Sequence, residues 1–274
     1  MIILHTAGEL RQWRQAQHGS VGFVPTMGNL HAGHLSLLRA ARDQHPVAIA
    51  SLFVNARQFD SADELNAYPV TVDADREQLE KLGFDALFLP NESEVYPADF
   101  GTVVTPGSAA RKWEGAFRPG HLEGVCTIVA KLFNLVQPDE AYFGEKDFQQ
   151  LKVVAAMVRD LNIPVVITAC PTIREADGLA LSSRNSRIDP RLRPRANAMI
   201  MQLKSSAEAI QKGAAVTETE NAARTALEGA GFVVDYFALV DAASLEPLAS
   251  AISGARLLAA ASLGGVRLID NYPV

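Results

Sequence analysis

Two histidines three residues apart, His31 and His34, close the segment Pro25-Thr26-Met27-Gly28-Asn29-Leu30-His31-Ala32-Gly33-His34. The apolar run Val21-Gly22-Phe23-Val24 before it reads as a buried strand, and residues 35–42 after it carry apolar side chains at helical spacing. The pair therefore sits where a strand turns into a helix. Backbone N–H groups and the positive end of the helix dipole gather at such a turn, so it suits an anion. Gly33 lets a ligand approach the backbone closely. Imidazole N–H groups at that point can donate to phosphate oxygens. The expected ligand is a nucleoside triphosphate, and the expected chemistry is stabilisation of charge that develops as it reacts. A zinc site would need three or four ligands. Neither the other histidines (His5, His18, His45 and His121) nor Cys126 and Cys170 stand at ligand spacing to the pair.

Three further segments add matching chemistry. In Phe53-Val54-Asn55-Ala56-Arg57-Gln58-Phe59 a strand runs into polar residues, and Asn55 and Gln58 offer neutral groups suited to hydroxyls and a carboxylate. In Phe143-Gly144-Glu145-Lys146-Asp147-Phe148-Gln149-Gln150, Gly144 permits close approach and Lys146 can reach a phosphate as a mobile point charge. Asp147 can bond a ribose hydroxyl or orient the lysine, and Gln150 lies one turn into the helix that follows. An ordinary charged helix start explains those charges equally well, but not the glycine and the two glutamines. Gly178-Leu179-Ala180-Leu181-Ser182-Ser183-Arg184-Asn185 joins two hydroxyls to an arginine, a grouping able to wrap outer phosphates bidentately. Arg118-Pro119-Gly120-His121 reads, taken alone, as a surface turn. Neither a P-loop nor a Gly-x-Gly-x-x-Gly fingerprint occurs, which removes support from P-loop and dinucleotide readings.

These segments need a frame. Strand patterns fall at 21–25, 47–55, 86–90 and 165–170, and helix patterns at 8–17, 34–44, 73–82, 126–136 and 148–161. Short apolar strands alternating with helices imply a parallel sheet covered on both faces, with ligands beyond the carboxyl ends of its strands. Thr71 is the expected N-cap of the 73–82 helix. The pattern changes near residue 173. Asp189-Pro190 is expected to open a long helix reaching about 211, and Thr217-x-x-Glu220 to form a capping box for the next. Strands are expected at 232–240, 257–261 and 267–269, with Leu263-Gly264-Gly265-Val266 as the turn into the last. The expected fold class is α/β, with a small α+β domain at the C-terminal end.

At 274 residues the chain can build two domains, and 48% hydrophobic with 20% charged residues fits a globular protein. A formal charge of −6 argues against nonspecific binding to nucleic acid or an acidic membrane. Two cysteines are too few for a disulfide scaffold, so a reducing cytoplasm is expected. No basic region followed by an apolar core opens the chain, and no apolar run approaches the roughly 18 residues of a membrane span, so neither export nor membrane insertion is expected.

In order and in residue detail, the segments 25–34, 53–59, 118–121, 143–150 and 178–185 closely resemble the pantoate–β-alanine ligase (pantothenate synthetase) family. The likeness extends to Arg267-Leu268-Ile269-Asp270-Asn271 and covers nearly the whole chain. His-x-Gly-His alone marks only the wider superfamily of nucleotidylyl transferases and class I aminoacyl-tRNA synthetases; Phe-Gly-Glu-Lys-Asp and Leu-Ser-Ser-Arg-Asn make the resemblance specific. It implies a Rossmann-like nucleotide- and pantoate-binding domain over 1–172, followed by a C-terminal α+β lid domain over 173–274. It also implies a two-step reaction. Pantoate attacks the α-phosphorus of ATP to give pantoyl adenylate and pyrophosphate, and the amine of β-alanine then attacks the acyl carbon to give pantothenate and AMP.

Carried over by position, Met27, Gly28, Asn29, Leu30, His31, Ala32, Gly33 and His34 line the ATP site. His34 is then the catalytic histidine, and His31 stands beside the phosphates. Gly144, Glu145, Lys146 and Asp147 contact ATP, with Lys146 as principal phosphate ligand. Ile173, Leu181, Ser182, Ser183 and Arg184 complete the nucleotide site. Gln58 and Gln150 hold pantoate, with Gln58 also near β-alanine, and Asn55 is counted with them. Magnesium escorts the triphosphate on ligands the resemblance does not name, and a cytoplasmic homodimer is implied. The family pattern usually reads Phe-Val-Asn-Pro and Tyr-Pro-Arg-Thr, whereas this chain has Ala56 and Val70 at the proline and arginine positions. Losing that proline is expected to free the Gln58 loop and loosen pantoate binding.

Overall fold

A computed structural model describes residues 1–274. Six strands, β1 (Ile2–Leu4), β2 (Val21–Thr26), β3 (Val47–Leu52), β4 (Ala86–Phe88), β5 (Glu140–Gly144) and β6 (Val166–Cys170), form one parallel sheet in the order β1-β4-β3-β2-β5-β6. The helices between them are α1 (Ala7–Gln15), α2 (Ala32–Gln44), α3 (Ala62–Asn66), α4 (Val72–Lys81), α5 (Glu92–Val95), α6 (Glu114–Phe117), α7 (His121–Val136) and α8 (Phe148–Asp160). Every residue of β3 is buried, as a parallel strand covered on both faces requires. Alternate residues divide between the two layers. Val24, Ala48, Ala50 and Leu87 pack with Leu38 and Ala41 of α2 and Leu79 of α4. Phe23 faces the other way, edge-on to Phe133 of α7 at 6.3 Å.

Strand order reverses at β2, because the chain runs outward through β3 and β4 and then returns to lay β5 on the other side. Such a switch point opens a crevice at the carboxyl ends of its strands. The register Gly22↔Glu140 and Phe23↔Ala141, carried forward, brings Thr26 level with Gly144. Two of the segments singled out by chemistry therefore leave the sheet side by side.

The chain divides into two compact units. One comprises 1–145 and 150–171, the other 146–149 and 172–274. Residues 146–149 thus group with the second unit, although they lie in sequence between β5 and the body of α8. In that unit β7 (Phe232–Asp241), β8 (Ala255–Leu263) and β9 (Val266–Pro273) form an antiparallel sheet. Helices α9 (Ala198–Gln211) and α10 (Val216–Gly229) join it in a core that includes Met199, Leu203, Leu227, Phe237 and Leu257. Gly264 and Gly265 have φ of 58° and 80°, the positive pair a two-residue type I′ hairpin demands.

Several expected elements differ. β1 and β5 are not among the expected strands, and β5 runs directly into the charged turn at 145–147. α7 begins at His121 rather than 126, so it takes in the Gly120-His121 turn. The helix expected from Asp189-Pro190 starts only at Ala198. Pro194 offers no N–H to an earlier carbonyl, and residues 193–195 form a 3-10 turn instead. The Thr217/Glu220 capping box is absent: α10 is entered from Ala215, and Glu220 Oε1 accepts from the Leu239 N–H of β7 at 2.7 Å. Thr71 does occupy the N-cap of α4, but its hydroxyl donates to Asp75 instead of accepting from the helix.

Candidate active site

The turn from β2 into α2 is held by its own backbone and by one buried carboxylate. Gly28 has φ 85°, and a Cβ there would lie 2.9 Å from Asp75 Oδ2, so only glycine fits. Asn29 follows at φ 52°. Asp75, on α4 and 1% exposed, accepts the N–H groups of Asn29 at 2.9 Å and Leu30 at 2.8 Å, and the Thr71 hydroxyl at 3.0 Å. This clamp sets where α2 begins. His31 then caps the helix: its Nδ1 accepts the Gly33 N–H at 3.1 Å, while His34 Nδ1 accepts the His31 N–H at 3.4 Å. Each Nδ1 is an acceptor, so each neutral imidazole carries its proton on Nε2. The rings lie 4.2 Å apart at 36°. The cap thus fixes two Nε2–H donors beside a helix N-terminus without either ring needing to be charged.

The second cluster surrounds Gln58. Residues 56–58 form a 3-10 turn on α7, closed by Gln58 N–H to Asn55 carbonyl at 3.2 Å and Phe59 N–H to Ala56 carbonyl at 3.2 Å. The turn therefore forms with alanine at the family's proline position. Gly124 of α7 lets it approach: a Cβ there would sit 2.7 Å from the Arg57 carbonyl carbon and 2.9 Å from Gln58 N. Asn55 is 1% exposed, and its amide is used within the chain. Nδ2 donates to Gln58 Oε1 at 3.0 Å and to the Gly124 carbonyl at 3.1 Å, and Oδ1 accepts from the Tyr96 hydroxyl at 2.9 Å. Asn55, read as a substrate contact, is thus tied to Gln58, Gly124 and Tyr96, and its Nδ2 fixes Gln58 Oε1.

The Arg118-His121 turn braces the same loop. His121 Nδ1 donates to the Gln58 carbonyl at 2.7 Å, and its Nε2 faces Arg118 Nη1 at 3.4 Å. Burial, and then the Arg118 charge, hold the His121 pKa below its ordinary 6.5, so the ring is neutral with its proton on Nδ1. Arg118 is 7% exposed and pairs with Asp60 at 2.6 Å and Glu64 at 3.1 Å. Taken alone the sequence read this segment as surface; its buried arginine ties 58–64 to α7. The other departure, Val70, is 70% exposed and borders a cavity of about 250 Å³ with Met27, Gly28 and Asp75.

At the end of β5, Glu145–Asp147 form a 3-10 turn that runs into α8. Lys146 Nζ lies 3.6 Å from Asp147 Oδ1, and Gln150 is half-buried in the first turn of α8. Residues 173–181 double back as a small hairpin, with Leu181 N–H to the Ile173 carbonyl at 3.0 Å and Gly178 at φ 95°. Ile173 is thereby placed beside Leu181, and Ser182 to Arg184 follow directly. Ser182 Oγ accepts the Arg184 N–H at 3.2 Å, and Asn185 Nδ2 anchors the segment to Glu175 at 2.8 Å and to the Ala180 carbonyl at 3.1 Å.

Sequence reasoning overlooked Asp75, which besides the nearby Thr71 hydroxyl binds backbone groups 45 and 46 residues away. Its one signal was a carboxylate in the first turn of a helix that already had a Thr71 cap. It also left Asp270 and Asn271 without a role.

A profile of the family described as pantoate-beta-alanine ligase matches residues 2–273. A pantothenate synthetase of Cereibacter sphaeroides is 50% identical over 277 residues, covering 99% of each chain. One from Thermus thermophilus is 45% identical over 276 residues, covering 100% of this chain and 99% of the other. A crystal structure of pantothenate synthetase from T. thermophilus superposes with a TM-score of 0.93 at 46% identity, covering 99% of each chain. That of the Francisella tularensis pantoate-beta-alanine ligase, complexed with beta-gamma ATP and β-alanine, gives 0.85 at 33% identity, covering 100% of this chain and 97% of that one.

Proposed function

The chain belongs to the pantoate-beta-alanine ligase family and is an ATP-dependent ligase that forms pantothenate; from that premise we propose the route and the residues that carry it. Pantoate's carboxylate attacks the α-phosphorus of ATP. The bond to pyrophosphate breaks, and pantoyl adenylate forms. The amine of β-alanine then attacks the acyl carbon, AMP leaves, and the amide remains. A carboxylate is a poor acyl donor, and adenylation supplies the leaving group. The protein's task in the first step is to orient the carboxylate and stabilise spread negative charge.

The observation that carries this reading is the imidazole cap of α2. Both Nδ1 atoms are spent on backbone N–H groups, so His31 and His34 are donors through Nε2 at a helix N-terminus. Donors fixed before the reaction cost no reorganisation as charge develops. His34 is assigned to the α-phosphoryl oxygens and His31 to the neighbouring phosphates. Residues 27–30, 32 and 33 line the nucleotide. Gly144, Glu145 and Asp147 are assigned to ATP, and Lys146 to its phosphates as a mobile cation. Ile173 and residues 181–184 complete the nucleotide set. Gln58 and Gln150 bind pantoate, with Gln58 also near β-alanine, and Asn55 acts through Gln58.

Magnesium is assigned to the substrate. Mg²⁺ keeps several waters and binds through phosphates and one or two carboxylates, and the chain holds no cluster of three or more ligating side chains. A cytoplasmic homodimer is proposed from the family resemblance, checked by sedimentation equilibrium. No helix is long and apolar enough to cross a membrane.

The test is product release from ATP, pantoate and β-alanine, omitting each in turn. Omitting β-alanine should leave one turnover of pyrophosphate, and AMP should require all three. A dinucleotide product would instead mark an adenylyltransferase acting on a phosphorylated acceptor. No pyrophosphate at all would mark a nucleotide-sensing module.

A further inference from the structure

Asp270 and Asn271 lie near the end of β9 and are 6% and 4% exposed. Burying polar side chains is costly unless each is paired, and here every pairing is specific. Asn271 Oδ1 accepts from Arg256 Nη1, and Asn271 Nδ2 donates to the Lys146 carbonyl at 3.0 Å. The Asn271 N–H donates to Asp270 Oδ1 at 2.8 Å. Asp270 is itself gripped bidentately by Arg174, at 2.7 Å and 3.0 Å.

We propose that Asn271 is a positioning residue for the adenylation step, fixing the backbone of Lys146 from the last strand, with Arg256 holding its side-chain amide and Asp270 its backbone N–H. The proposal rests on the assignment of Lys146 to the triphosphate. A lysine side chain has four rotatable carbons, so its ammonium finds a phosphate only as well as its backbone is placed. Lys146 lies in a 3-10 turn, and its carbonyl is held from outside that turn by Asn271. Arg256 fixes both sides of the contact: besides binding Asn271, its guanidinium lies 4.2 Å over the ring of Phe148, two residues beyond Lys146. In the β8–β9 register Asn271 stands opposite Leu258 and Arg256 opposite Pro273. Their side chains therefore share one face of the sheet two residues apart. Asp270, next to Asn271, also steadies the 173–181 hairpin, because Arg174 donates both to it and to the Gly178 carbonyl at 3.1 Å. A merely space-filling role could be served by leucine. Only a side chain with an acceptor for Arg256 and a donor for a carbonyl can link the two.

The variant that separates these roles is Asn271→Asp. It keeps the size and the acceptor for Arg256 but has no donor for the Lys146 carbonyl. Three rates are measured on the full chain: pyrophosphate release from ATP and pantoate in a single turnover, its dependence on pantoate, and aminolysis of preformed pantoyl adenylate by β-alanine. Pyrophosphate release should slow by about 10- to 100-fold, the scale on which a misplacement of about 1 Å acts. The pantoate dependence and the aminolysis rate should stay within about twofold, since neither uses Lys146. In a Lys146→Ala background, Asn271→Asp should slow release no further, as coupled residues behave. Wild-type release by the folded variant overturns the proposal. So does equal slowing of both half-reactions, or multiplication of the two effects in the double variant. If Asn271→Asp does not fold, Arg256→Lys is read in the same assays, because it keeps the charge but loses the planar fork; normal release there overturns the proposal as well. Wild-type release by Lys146→Ala would instead remove the assignment on which the proposal stands.

Discussion

At the scale of single residues, chemistry is set by which atom of a side chain the protein leaves to donate. The α2 cap spends both Nδ1 atoms, so His34→Ala removes one fixed Nε2–H donor. Adenylation should slow by about 10²–10³-fold, the usual cost of losing one transition-state donor. Single-turnover pyrophosphate release checks this, and a near-normal rate in a folded variant would remove His34 from the proposed role. Gln150→Ala should raise the KM for pantoate while leaving ATP binding without pantoate unchanged, because an unpaired polar group costs about 1–3 kcal/mol. Equal weakening of both ligands would move Gln150 to the nucleotide. The histidine pair was legible because two imidazoles, a glycine and the strand-to-helix change coincide within ten residues. Asn55 was legible as a polar residue at a strand end but not as a buried one. Its burial depends on Tyr96 and Gly124, 41 and 69 residues away.

At the scale of elements, the Gln58 loop shows how a fold absorbs a sequence departure. Ala56 opens a turn that its neighbours hold without a proline: Asn55 from inside, Gly124 beneath, His121 and Arg118 from α7 and the residues before it. The looser loop expected from the missing proline is therefore opposed by four contacts that the local sequence does not reveal. Ala56→Pro should raise stability by about 0.4–1 kcal/mol, since proline suits the first position of a helical turn and narrows the unfolded ensemble. Urea unfolding checks this, and a loss of stability would show that the turn's backbone cannot take the ring. Gly124→Ala should act oppositely. The added Cβ must push Arg57 and Gln58 away, raising the KM for pantoate and lowering the Tm, while ATP-dependent steps at saturating pantoate change less. Strands long enough to carry a pattern, such as β2, β3 and β7, were read from sequence. β1 and β5 were not: Glu140 and Gly144 leave β5 only three apolar residues, and β1 has only three residues, whereas the equally short β4 was read because Leu89 and Pro90 prolong its apolar run. The start of α10 was misread because Glu220 serves β7 instead of a capping box, whereas Thr71 holds the expected N-cap of α4 although its hydroxyl donates to Asp75.

At the scale of the whole molecule, burial couples the substrate loop to the protein's response to pH. His121 is held below its ordinary pKa of 6.5, first by burial and then by the charge of Arg118. The Gln58 carbonyl, Glu114 and Asp60 oppose that shift without reversing it. Between the lowered folded value and 6.5, the unfolded chain takes up a proton that the folded chain refuses. The contribution of His121 is thus fully present above pH 6.5 and is lost as pH falls through that window, at no more than about 1.4 kcal/mol per pH unit for one proton. His121→Gln keeps a donor for the Gln58 carbonyl and cannot titrate. Its urea midpoint should therefore fall less steeply than that of the wild type from pH 7 to pH 5. The comparison uses midpoints rather than heat-induced precipitation, because with 31 acidic and 25 basic residues the sequence pI is about 5.5, and self-association rises near that pH for both proteins. Protonation at Nε2 would also set a second donor against Arg118 Nη1, at the contact that braces Gln58. The KM for pantoate should accordingly rise below pH 6.5 in the wild type more than in His121→Gln. Parallel midpoints and parallel KM profiles for the two proteins would show that the ring's burial neither limits acid stability nor governs the loop.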